Sequence, residues 1–178
     1  MAAQRHDDAS RVSRKVAFEE KGQRTQRSTD IYQQKTGAKE TAICSRCGTL
    51  YRDKRWIMDE AEKDRLRGKS DVPAIVCPAC QRMADGNPAG VVTFSGSYLL
   101  EHEDDILNTV KATEARSRAK NPLGRIMEIS QEANVLTVST TEDKLAQKLG
   151  REVYRAHKGE LNYSWSHDLH FVRVNWKR

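Results

Sequence analysis

All four cysteines of this 178-residue chain fall into two pairs of one spacing, Cys44-Ser-Arg-Cys47 and Cys77-Pro-Ala-Cys80, with 29 residues between them. Two residues between thiolates let one tight turn aim both sulfurs at the same ion, about 2.3 Å from a zinc centre. Gly48 suits the open backbone of such a knuckle, and Pro78 presets a turn in the second pair. A redox dithiol needs one such pair beside a βαβ unit, and disulfides do not suit a chain that reads as cytosolic. The pattern therefore selects one structural zinc ion held by Cys44, Cys47, Cys77 and Cys80. Two pairs close a tetrahedron and leave no position for a reacting water.

Around these pairs the sequence predicts an α+β fold in three parts. Residues 1–40 hold few large apolar side chains and no sustained period, so they cannot offset the ordering entropy of about 1–2 kcal/mol per residue. They read as a disordered basic N-terminal arm. Residues 41–96 read as a small treble-clef or ribbon zinc module. Its expected parts are a hairpin through Leu50 and Trp56, a short helix over 59–66, and a second helix starting at Cys77 to Cys80. Residues 97–178 read as an α-β-β-α-β-β domain, an antiparallel sheet with helices on one face. One helix runs from Ser97 to about Ala119, with acidic residues in its first turns, and Pro122 stops it. A second carries Leu145, Leu149, Val153 and Ala156 on one face. Hairpins over 123–139 and 161–176 complete the sheet.

The chain carries 31 Lys and Arg against 25 Asp and Glu, a net charge of +6. The excess favours a polyanionic partner. Residues 1–40 hold 9 basic and 6 acidic residues, whereas residues 101–178 hold 13 and 12. The later charges read as ordinary solvated faces. Arg11, Arg14, Lys15, Arg24 and Arg27 on the arm, with Lys63, Arg65, Arg67 and Lys69 between the cysteine pairs, are the candidate phosphate contacts. The arm either solubilises the chain or orders in a groove of folded RNA. Four thiolates and one Zn²⁺ sum to about −2, so nearby cations are required. Arg46, Arg52 and Arg82 are the expected partners of the sulfurs. Tyr51 and Trp56 either pack the module or stack on bases.

No phosphate loop, nucleophile elbow or paired histidines occur, and His102, His157, His167 and His170 are scattered. The chain reads as non-enzymatic. It has no apolar run of the roughly 20 residues a membrane helix needs, and its start lacks the apolar core of a signal peptide. The expected location is the cytoplasm.

The knuckle Cys44-Ser-Arg-Cys47-Gly48, the pair Cys77-Pro-Ala-Cys80 and the run from Val135 through Leu145-Ala-Gln-Lys-Leu149 to Gly159-Glu-Leu-Asn-Tyr163 together resemble a known family. It is the large-ribosomal-subunit nuclear-export adaptor family linked to nonsense-mediated decay, here in a short bacterial-type form. The chain is also similar to uncharacterised bacterial four-cysteine zinc proteins with the run Gly90-Val-Val-Thr-Phe-Ser-Gly96 and a Trp like Trp176. The resemblance covers roughly residues 41–178. It implies structural zinc and association with the large ribosomal subunit or its rRNA; the α+β domain is then expected to dock on RNA or a ribosomal protein. The adaptors carry further cysteine pairs and C-terminal regions with export signals, so nuclear export is not implied. The alternative is a protein-interaction adaptor or transcription-associated zinc factor.

Overall fold

A computed structural model of the protein describes residues 30–32, 41–67, 69, 71–166 and 171–178. Arg11, Arg14, Lys15, Arg24, Arg27, His167 and His170 lie outside the described residues. The small module opens with β1 (Ala42–Cys44), β2 (Leu50–Arg52) and β3 (Arg55–Ile57). Asp53 and Lys54, both at positive φ, turn β2 back into β3. Helix α1 (Glu60–Leu66) follows, N-capped by the Asp59 side chain, which accepts from the Glu62 amide. Then come β4 (Ala74–Ile75) and α2 (Pro78–Asp85). The strands pair in the order β3-β2-β1-β4, with β1 and β4 parallel.

The larger unit contains β5 (Gly90–Ser95), α3 (Ser97–Glu101), α4 (Glu103–Arg118), β6 (Ile126–Glu132), β7 (Val135–Thr140), α5 (Asp143–His157), β8 (Glu160–Ser166) and β9 (Phe171–Lys177). Its sheet order is β6-β7-β5-β9-β8. Both sheets are mixed, which corrects the expectation of an antiparallel one. Among the described residues the one parallel pair of this sheet is β5 with β9, because α5 carries the chain back across the sheet before the β8–β9 hairpin enters. Residues 90–95, grouped in the sequence with the zinc module, are the central strand of this sheet. The helix expected from Ser97 breaks at His102, whose φ of −127° leaves the helical range. Glu103, Asp104 and Asp105 consequently occupy the first turn of α4, where the helix dipole favours them.

Alternate residues of β5, β7 and β9 meet the buried faces of α4 and α5 in one core of Phe94, Ile106, Leu149, Val153, Val174 and Trp176. Trp176 donates its indole N–H to the Lys158 carbonyl at 2.6 Å, which satisfies the one polar atom of that buried ring. Gly150 lets α5 approach the sheet closely: a Cβ there would lie 2.5 Å from Val174 Cγ1. Gly150→Val should therefore lower stability by about 1–3 kcal/mol through overpacking. Urea unfolding measures it, and an unchanged midpoint would show that the helix does not sit this close.

Part of the expected arm is docked. Tyr32 is buried against α2, its hydroxyl donating to Asp85 Oδ2 at 2.9 Å. The Arg82 guanidinium lies 4.4 Å over its ring and pairs with Asp30 at 2.8 Å. No helix among the described residues is long and apolar enough to cross a membrane.

At the C-terminal end of α5, Tyr98 and His157 meet, hydroxyl to Nδ1 at 3.3 Å. Asp105, His102 and Arg178 surround the pair. The His157 Nε2 is buried with no hydrogen-bond partner among the described residues. Burial holds this imidazole below its ordinary value of 6.5. Its contribution to stability is present above that unfolded value and is lost as pH falls through the folded one. An NMR titration of the ring protons should give a midpoint below 6.5; a midpoint above it would contradict this packing.

Candidate metal centre

The four cysteines converge, and their sulfurs all lie within 4.8 Å of one another. Three local devices bring them there. Cys44 ends β1, and the chain turns so that the Gly48 amide donates to the Cys44 carbonyl at 2.8 Å, with Gly48 at φ +74°. A Cβ on Gly48 would also lie 2.7 Å from Lys63 Cε, so the Lys63 stem crosses directly over the knuckle. Cys77 is the N-cap of α2, its sulfur accepting from the Cys80 amide at 3.4 Å, with Pro78 in the first turn. Finally, the parallel pairing of β1 with β4 brings the two knuckles side by side, and the Cys77 amide donates to Cys44 Sγ at 3.3 Å.

The set fits a single ion. Cys47 and Cys77 sulfurs are 3.7 Å apart, and a tetrahedron with ligands at about 2.3 Å has edges of about 3.8 Å. Three of the cysteines are buried and Cys47 is partly exposed. The hydrogen bond from Cys77, reinforced by Arg125 and Thr49, lowers the Cys47 thiol to about 3, well below its ordinary 9.0. The same contact, with burial, pushes the Cys77 thiol up, and burial does so for Cys80.

The cation that serves the sulfurs is Arg125, which stands just before β6 and is 7% exposed. Its Nη2 donates to Cys47 Sγ at 3.1 Å and to Thr49 Oγ1 at 3.3 Å, and its Nη1 faces Cys80 Sγ at 3.6 Å. The Nε donates to the Pro122 carbonyl at 2.9 Å. Its backbone is held by Thr141, whose Oγ1 accepts from the Arg125 amide at 2.8 Å. Burial works against the charge, yet the Cys47, Cys77 and Cys80 sulfurs more than offset it, and the guanidinium stays ionised. One side chain of the larger unit thus reaches the thiolates of the smaller.

The three arginines expected there behave differently. Arg46 reaches the backbone, donating to the Cys80 carbonyl at 3.5 Å. Arg52 is exposed at the hairpin end. Arg82 turns away to Asp30 and to the Asn87 carbonyl at 3.2 Å. Tyr51 and Trp56 pack on each other with ring centroids 5.1 Å apart.

Of the candidate phosphate contacts between the pairs, Lys63 pairs with Glu60 at 2.7 Å and Arg65 with Glu62 at 3.0 Å. Arg67 and Lys69 are exposed beyond α1. The loop is therefore half neutralised by its own acids. Nothing in the sequence linked Arg125 to the cysteines, since it lies 78 residues from Cys47. No known family, characterised protein or solved structure matches the chain.

Proposed function

We propose that this is a non-enzymatic zinc protein that associates with the large ribosomal subunit or its RNA. The observation that carries the zinc part is the closed set of four sulfurs with a buried guanidinium against it. Tetrahedral sulfur coordination suits zinc, and four protein ligands leave no position for water, so the ion shapes the chain rather than reacting. We read the knuckle, the β2–β3 hairpin and the α2 helix opening at the second pair as a treble-clef variant. The RNA part is supported by the net charge of +6 and by the family resemblance of the knuckles and of residues 135–163. Basic residues would contact phosphate while the α+β unit docks on RNA or a ribosomal protein.

Sedimentation through sucrose at moderate salt tests it. The protein should travel with large subunits or whole ribosomes; a protein confined to the soluble fractions in growing and stationary cells alike would refute the association. A second reading, a protein-interaction adaptor, draws on Met58 and Met83, which stand exposed on the small module. Crosslinking that recovers proteins and no RNA would favour it.

A further inference from the structure

We infer that the outer face of α5 is the surface that holds the RNA, with Arg116 of α4 facing it across a groove. The inference deepens the RNA reading above and rests on it. Lys144, Lys148, Arg151 and Arg155 follow one another at intervals of four, three and four residues, and Lys158, the C-cap at φ 61°, stands just past the helix end with its ammonium donating to the Arg155 carbonyl at 3.3 Å. That spacing lines the first four along one stripe of the helix. The stripe lies opposite Leu145, Leu149 and Val153, which are buried against the sheet. None of the five cations is buried. At 1.5 Å per residue the stripe from Lys144 to Arg155 is about 17 Å long, the span of about five nucleotides of one strand.

The stripe is poorly neutralised. Among the described residues, only Arg155 of the five is paired with a carboxylate, Glu152 at 2.7 Å. Lys144 with Lys148, and Arg151 with Arg155, are like charges one turn apart, an arrangement that destabilises a helix in isolation. Most of the acids that balance this half of the sequence sit elsewhere, although Glu142, Asp143 and Glu152 lie at or on α5. Glu101, Glu103, Asp104 and Asp105 are on α3 and the first turn of α4, and Glu128 and Glu132 are on β6. Near balance in the sum thus conceals separation in space.

Beside the stripe runs a groove of about 520 Å³ between the helices. Asn108, Ala112 and Arg116 form one wall, and Glu152 and Arg155 are on the other. Ala112 and Ala156 keep it open. Arg116 donates to Thr113 Oγ1 at 3.1 Å and to no carboxylate among the described residues. Two guanidinium groups can hold phosphate oxygens in pairs.

The occupant is a phosphate backbone rather than an acidic protein for a further reason. Among the described residues the exposed large apolar side chains are Ile31, Met58, Met83, Leu100, Ile129 and Trp165, and none lies on α4 or α5. A protein partner needs an apolar or aromatic anchor at the centre of its interface. Phosphate contact needs only charge.

The test is fluorescence anisotropy of the zinc-loaded full chain with a labelled RNA hairpin, titrated over a series of salt concentrations. The variant Lys144→Gln/Lys148→Gln/Arg151→Gln should bind at least about tenfold more weakly, and its slope of log affinity against log salt should fall by about two to three. Zinc content and circular dichroism report whether it is folded. Should it not fold, Lys148→Gln alone should lower the slope by about one. Unchanged affinity and slope in a folded variant would overturn the α5 assignment and leave the RNA reading standing. A wild-type protein that sediments with ribosomes but binds no RNA, or binds polyglutamate as tightly as the hairpin, would also overturn it. A wild-type protein that neither sediments with ribosomes nor binds RNA would instead refute the proposed function.

Discussion

Cys44→Ser or Cys80→Ser should release the proposed metal ion and unfold the small module. Cys44 closes β1 and accepts the Cys77 amide, while Cys80 sits in the first turn of α2. The two knuckles have little else to hold them. The buried cluster around the thiolates comprises Cys44, Cys77, Ala79 and Cys80, too small a core to fold alone. Structural zinc contributes on the order of 10–16 kcal/mol in isolated finger peptides, which exceeds the whole stability of a typical domain. Metal analysis after gel filtration and limited proteolysis check the outcome together. Zinc should be lost, and cleavage should appear between residues 42 and 85 while the five-stranded sheet persists. Unchanged metal content in either variant would refute the ligand assignment.

Arg125→Met has the second largest effect, with a different signature. It removes the guanidinium that touches Cys47, Cys80 and Thr49 and leaves an anionic centre without its buried counter-charge. Breaking a buried pair by deleting one partner costs about 3–5 kcal/mol. The loss should register in urea unfolding and as faster amide exchange at Thr141, whose N–H donates to the Arg125 carbonyl at 2.9 Å. Arg125→Lys should recover only part of it, because one ammonium cannot reach two sulfurs and the Pro122 carbonyl together. Full stability in the Met variant would mean that the two units are joined by other contacts.

The convergence of the four cysteines was legible in their spacing, because a cluster built from two turns is a local code. Most of helix α5 was equally legible: of Leu145, Leu149, Val153 and Ala156, expected on one buried face, the first three are buried, whereas Ala156 is exposed and lines the groove to α4. Features set by three-dimensional arrangement were not. Arg125 carries no local sign of its role, and only the meeting of the β6–β7 end with the knuckles brings it to the sulfurs. The parallel β5–β9 pair depends on where the crossover returns the chain, which alternation within each strand does not encode. Tyr32 looked like part of an unstructured segment because its partners, Arg82, Asp85 and Asn87, lie 50 or more residues away. The basic stripe on α5 was concealed differently. Its cations are plain in the sequence, but summing charge over residues 101–178 cancels them against acids that lie mostly on other faces.

Native mass spectrometry with metal analysis tests the proposed zinc centre most directly. One zinc ion per folded chain, with all four thiols protected from alkylation until a chelator is added, is the predicted result. A folded, metal-free chain whose four thiols react freely would contradict it.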